Sequence, residues 1–226
     1  MDAYPWEISP EELAGRYLRL HTPAVCDVLD GLGLFHQALP PEIQPLSREM
    51  KLAGPAFTAK GAATTYFTED DVQFAFQGWS KALGMPGPIG VVEASGDRTA
   101  AHWGELLSNA SKALGGKGVV VDGGVRDVDR ILPIGFPVFA KFNIPTDIRG
   151  RWRYVDFAVP VRVGNVIVSP WDYILGDING VVVIPKELVE EVLVTAEPIL
   201  ERENLIRAEL TAGANPMEVY AKYGSF

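Results

Sequence analysis

Apolar positions along the chain follow two rhythms, and each change of rhythm is marked by a cap, a proline or a glycine. Ser9-Pro10-Glu11-Glu12 offers a capping serine, a first-turn proline and a glutamate three residues after the cap, so a helix starts there. Thr22-Pro23 repeats the signal, and Val25, Val28 and Leu29, closing at Gly31, predict a second short helix. Leu39 to Ser47, with three prolines, reads as an extended connection. Leu52 to Lys60 and Ile89 to Ala94 have strand character, with an acidic-capped helical stretch around Asp70 to Leu83 between them. Within Ala101 to Leu114, residues Trp103, Leu106, Leu107, Ala110 and Leu114 recur at helical spacing. Gly118 to Asp122 then forms a short buried strand that exits through Gly123-Gly124. Pro137 to Lys141 predicts another strand, and Val155 to Pro185 several short ones with turns at Gly164-Asn165 and Asn179-Gly180. The chain returns to helix over Lys186 to Ala212, amphipathic and interrupted at Pro198. A last helix is capped by Asn215-Pro216-Met217-Glu218 and ends at Gly224. Residues 1–226 therefore read as one α/β domain with N- and C-terminal helices and no internal repeat.

Composition narrows the class. With 47% hydrophobic and 22% charged residues the chain is of the soluble globular type, and no stretch approaches the roughly 20 apolar residues of a membrane span. The acidic start lacks the basic and apolar regions of a signal peptide, so a cytoplasmic location is expected. Cys26 is the single cysteine and sits in an apolar run, which makes it a small core residue. Twenty basic against twenty-nine acidic residues, with the basic ones scattered, argue against nucleic-acid binding.

The segment Asp122-Gly123-Gly124-Val125-Arg126-Asp127 leaves the carboxyl end of a buried strand, where open α/β sheets place ligands. Arg126 offers a planar fork for a carboxylate and Asp127 hard oxygens for Mg²⁺ or Mn²⁺; equally, Asp127 could cap the helix starting near Val128 while Arg126 pairs with a surface acid. Glu105 follows Gly104 at a helix start, a place the helix dipole favours for any carboxylate, and the first-turn amides of Leu106 and Leu107 are free for an anion. His21, His36 and His102 have no zinc-site spacing, although His102 lies near enough to edge a pocket at Glu105. Gly115-Gly116-Lys117-Gly118 lacks the spacing of a phosphate loop. Lys141 is read either as a strand-end lysine in solvent or as a Schiff-base amine.

Trp103-Gly104-Glu105-Leu106-Leu107, Gly118-Val119-Val120-Val121-Asp122-Gly123, Val125-Arg126-Asp127 and Pro137-Val138-Phe139-Ala140 together resemble the RraA-like family. That family contains 4-hydroxy-4-methyl-2-oxoglutarate and 4-carboxy-4-hydroxy-2-oxoadipate aldolases, oxaloacetate decarboxylases and the regulator of ribonuclease activity. The likeness runs from Thr22 to Gly224; its most specific part is an acidic residue, twenty intervening residues and Arg-Asp, as in Glu105 to Arg126-Asp127. The resemblance implies a swivelling-domain β/β/α fold in homotrimers or homohexamers with sites between subunits. It implies a lyase acting on a small 2-oxo acid, with Glu105 and Asp127 holding the divalent metal directly or through water. Arg126 would contact the pyruvyl group, Gly104, Leu106 and Leu107 would complete the substrate site, and Glu203 would enter from a neighbouring subunit. A non-catalytic regulator that binds a ribonuclease would share the same fold. Pro170-Trp171-Asp172, where the family has Pro-Gly-Asp, and the bulky run Ile148 to Tyr154 depart from the pattern.

Overall fold

Ser9 fulfils its capping role: its Oγ accepts the Glu12 N–H at 3.3 Å, and helix α1 runs over Pro10–Tyr17. The computed structural model describes residues 3–224. In α2 (Thr22–Gly31) the cap moves from Thr22 to His21, whose Nδ1 accepts the Ala24 N–H at 3.2 Å. Thr22 instead gives its N–H and its hydroxyl to the buried carboxylate of Asp177. After the two-residue strand β1 (Gln44–Pro45) come β2 (Leu52–Ala63), α3 (Glu69–Ser80), a 3-10 turn and β3 (Ile89–Glu93).

The stretch expected to be one helix from Ala101 divides. Ala101–Trp103 is a strand, β4, paired in parallel with the end of β5 (Gly118–Val125), and only Glu105–Ala113 is helical, α4. Backbone pairing to β5 overrides the helical spacing, and Leu106 and Leu114, two of the residues at that spacing, are exposed. Helix α5 (Val128–Ile134), β6 (Val138–Asn143) and β7 (Trp152–Phe157) follow. The hairpin of β8 (Val161–Val163) and β9 (Val166–Val168) turns at Gly164-Asn165 as expected, whereas β10 (Tyr173–Asp177) and β11 (Gly180–Ile184) turn one residue early, at Ile178-Asn179. The chain closes with α6 (Val189–Thr211) and α7 (Pro216–Tyr223). Helix α6 continues through Pro198. The proline deprives the Val194 carbonyl of its donor, and Val194 is exposed, so water can replace it.

Nine strands form one sheet, ordered β1-β6-β5-β3-β2-β10-β11, with β4 added beside β5 and β7 beside β2. Its centre, β6-β5-β3-β2, is parallel and its flanks are antiparallel. Parallel strands are covered on both faces, which explains the unbroken Val119-Val120-Val121 run. Val119 and Val121 pack in one core with Leu13, Tyr17, Val25, Leu29 and Leu193 of the helices. Val120 packs in the other with Ile89, Val91, Phe139 and the valines of the β8–β9 hairpin. This is the mixed α/β architecture expected, with helices at both ends of the chain. Cys26 packs half-buried against the first core, and burial raises its thiol pKa, so it has no thiolate character. No helix among the described residues is long and apolar enough to cross a membrane.

Candidate active site

Strands β4 and β5 end side by side, and the Arg126 N–H donates to the Trp103 carbonyl at 3.1 Å, which ties the two exits together. The exits frame a cleft of about 140 Å³ whose wall includes Gly104, Glu105, Leu106, Arg126, Asp127 and Asp147. Larger cavities lie elsewhere, under α1, between α3 and α4, beside Lys186 and Glu190, and around residues 65–72 and Arg149; what sets the smaller cleft apart is that Glu105, Arg126, Asp127 and Asp147 share its wall.

Asp127 occupies the N-cap position of α5 in the left-handed region, with φ 59°, yet its side chain makes no capping bond. Its backbone carbonyl serves the helix instead, accepting the N–H groups of Arg130 and Ile131 at 2.9 and 3.0 Å. A carboxylate at a cap that does not cap remains available for a ligand. Gly104 lets the site side chains come close: a Cβ there would lie 3.1 Å from Asp127 Oδ2 and 3.3 Å from Arg126 Cγ. Glu105 opens α4, its carboxylate accepting the Asn109 side-chain amide. Because Gly104 has no side chain to cap this helix, the first-turn amides of Leu106 and Leu107 carry no side-chain partner. Arg126 Nε lies 3.5 Å from Asp127 Oδ2, and its Nη1 lies 2.7 Å from Asp147 Oδ2.

The other candidate residues take packing and pairing roles around this frame. Gly123 and Gly124 belong to β5 rather than to an exit loop. A Cβ on Gly123 would come within 2.4 Å of His102 Nδ1, and one on Gly124 within 2.6 Å of the Ala100 carbonyl, so the pair makes room for the β4 segment and not for a ligand. His102 does edge the cleft, as its sequence position allowed, but from a buried place: its Nδ1 accepts the Gly124 N–H at 3.2 Å, which leaves the proton on Nε2 facing Asp97 at 3.1 Å. Burial lowers its pKa, with Asp97 opposing, so this imidazole is neutral and holds β4 in place. Lys141 ion-pairs with the buried carboxylate of Asp122 and is not part of the cleft wall. Glu203, on α6, lies 3.0 Å from His21 Nε2 of the same chain and is likewise not in the wall. Asp147 had no motif to mark it; its one signal is position, in the exit from β6 at the end of the sheet where β5 also exits.

Among the described residues no three His, Cys, Asp or Glu side chains converge as a ready-made metal cage. The hard oxygens of Asp127 and Glu105 nevertheless suit Mg²⁺ or Mn²⁺, since Mg²⁺ binds through one or two carboxylates and keeps several of its waters. The open Asp127 carboxylate is the observation that fits such an ion.

An α/β sheet with acidic groups and one arginine at the carboxyl ends of adjacent parallel strands is the architecture of a small-ligand site. Residues 22–183 match the model of the RraA-like family, described as Aldolase/RraA, and the chain belongs to that family. It is 40% identical over 131 residues to an uncharacterized protein of Methanocaldococcus jannaschii, an alignment covering 58% of this chain and 62% of that one. It is 32% identical to a putative 4-hydroxy-4-methyl-2-oxoglutarate aldolase of Halalkalibacterium halodurans, over 80% of each chain. Among solved structures it is similar to Streptomyces coelicolor RraAS2, described as an unusual member of the RNase ES inhibitor RraA family, at 26% identity with a TM-score of 0.77, covering 88% of this chain and 98% of that one.

Proposed function

We propose that this protein is a divalent-metal-dependent lyase that cleaves a C–C bond of a small 2-oxo acid, by retro-aldol cleavage of a 4-hydroxy-2-oxo acid, by decarboxylation of oxaloacetate, or both. The observation that carries the reading is the uncapped Asp127 carboxylate beside Arg126, facing Gly104 at the mouth of α4. The relatives named as aldolases support it. Asp127 and Glu105 would hold Mg²⁺ or Mn²⁺, directly or through water, and the ion would supply Lewis acidity to the 2-oxo acid, whose C1 carboxylate lies beside the 2-oxo group. The amides of Leu106 and Leu107, past Gly104, receive that carboxylate. As the C3–C4 bond breaks, the C4 hydroxyl gives its proton to water and becomes a carbonyl, and the C3–C4 pair becomes the C2–C3 π bond. The displaced carbonyl pair puts negative charge on the 2-oxo oxygen, which the guanidinium of Arg126 opposes until water protonates C3 to give pyruvate. Loss of CO₂ from oxaloacetate develops charge on the same oxygen, so one site serves both reactions. The reading extends to an assembly, a trimer or hexamer in which Glu203 of one subunit joins the cleft of the next.

The test is release of pyruvate from oxaloacetate and from 4-hydroxy-4-methyl-2-oxoglutarate. EDTA should abolish it and Mg²⁺ or Mn²⁺ should restore it. Asp127→Ala should lower kcat/KM at least about 100-fold, and Arg126→Lys at least about 10-fold, because a point charge does not reproduce the guanidinium fork. Absence of turnover with either substrate would favour a regulator that binds a ribonuclease, and turnover indifferent to EDTA would remove the metal.

A further inference from the structure

We propose that Asp147 is a positioning residue: by holding Arg126 through Nη1 it keeps the Asp127 carboxylate open to a divalent cation. This rests on the metal reading above and adds to it a residue that no motif marks. Two carboxylates compete for one guanidinium. Asp127 is its chain neighbour, yet the contact to Nε is 3.5 Å, while Asp147 reaches Nη1 at 2.7 Å. The two acids are similarly exposed, at 40% and 38%, so solvent screens both pairs alike and the shorter one prevails. Without Asp147 the nearest anion left to the guanidinium is Asp127, and a closed Arg126–Asp127 pair would occupy the oxygens that face the cleft.

Asp147 is built to stay where it is. Its Oδ1 accepts the Arg149 N–H at 2.8 Å, leaving Oδ2 for Arg126. The loop that carries it is stitched to both strands that frame the cleft: the Ala101 N–H donates to the Thr146 carbonyl at 2.8 Å, and the Ile144 N–H to the Val125 carbonyl at 3.0 Å. On its far side the N–H groups of Arg151 and Trp152 both donate to the Ile148 carbonyl at 2.9 Å. The clamp therefore moves with the strand ends that carry Glu105, Arg126 and Asp127, and it sets the guanidinium before any ligand arrives.

The test measures binding of Mn²⁺ alone to the full chain, by electron paramagnetic resonance of the free ion. It uses wild type, Asp147→Asn, Arg126→Ala and the double variant. Asparagine keeps the size of Asp147 and an oxygen for the Arg149 N–H while removing the charge. Asp147→Asn should raise the Mn²⁺ Kd about 5- to 10-fold, whereas in the Arg126→Ala background the same change should shift it by less than about 2-fold. The Arg126 Nε–H resonance, identified by its loss in Arg126→Ala, should move in Asp147→Asn. An equal weakening in both backgrounds would mean that Asp147 acts on the ion only as a nearby charge, and overturns the proposal. An unchanged Kd or an unmoved Nε–H resonance in Asp147→Asn overturns it too. Wild-type protein that binds no Mn²⁺ defeats the metal reading and this proposal together; firm binding with parallel losses defeats this proposal alone.

Discussion

His102 shows how one side chain is fixed by its two neighbours and what that fixation costs. The imidazole is neutral, wedged between the Gly124 N–H and Asp97, and burial lowers its pKa below the ordinary histidine value. In the unfolded chain it takes up a proton near its ordinary value of about 6.5. Below that pH the unfolded state binds the proton that the native state refuses, so stability is level above about pH 6.5 and falls as pH drops from there toward the lowered native value. Unfolding free energy should therefore fall further between about pH 7 and about pH 5.5 in wild type than in His102→Asn. Equal differences would mean that His102 titrates alike in both states. The sequence allowed His102 a place at the edge of a pocket; its burial was invisible there, because the strand that buries it was hidden under a helical spacing.

At the scale of elements, the turn before β10 sets backbone preference against burial. Trp171 stands at φ 76°, a region that favours glycine, and glycine is what the family pattern has there. The tryptophan is 3% exposed and meets Tyr4 and Trp6 edge-on, with centroids 6.3 and 6.1 Å away. Burial of so large a side chain outweighs a strain of about 1–2 kcal/mol, since truncating a buried tryptophan costs about 3–5 kcal/mol. Trp171→Ala should therefore destabilise by about 3–5 kcal/mol in urea unfolding, and Trp171→Gly by about 1 kcal/mol less, because glycine also relieves the strain. If glycine proves no better than alanine, the strain is not real. The departure from Pro-Gly-Asp was legible in the sequence, but its partner was not: Trp6 lies far away along the chain, before α1.

For the whole molecule, the question is whether the cleft is complete within one chain. Glu203 pairs with His21 in its own chain, and no residue of α6 reaches the cleft wall. If sites are shared, Glu203→Ala and Asp127→Ala proteins should each be inactive alone. After subunit exchange the mixture should recover a fraction of wild-type turnover, since some interfaces then unite an intact Glu203 with an intact Asp127. A mixture that stays inactive after proven exchange, or a fully active monomer, would refute the sharing. By itself the sequence determined the helices at both ends, because Ser9, Asn215 and Gly224 are local caps that act within a turn of where they stand. It also determined the buried core strand, because burial on both faces demands an unbroken apolar run, and it singled out Glu105, Arg126 and Asp127 as candidates through their chemistry and a family resemblance. Only the tertiary structure decided that Ala101–Trp103 is a strand, that Gly123 and Gly124 serve packing, and that Asp147 is the acid that engages Arg126. Each of those depends on a partner twenty or more residues away, and the distance between two such groups in space is set by the sheet and not by the chain between them.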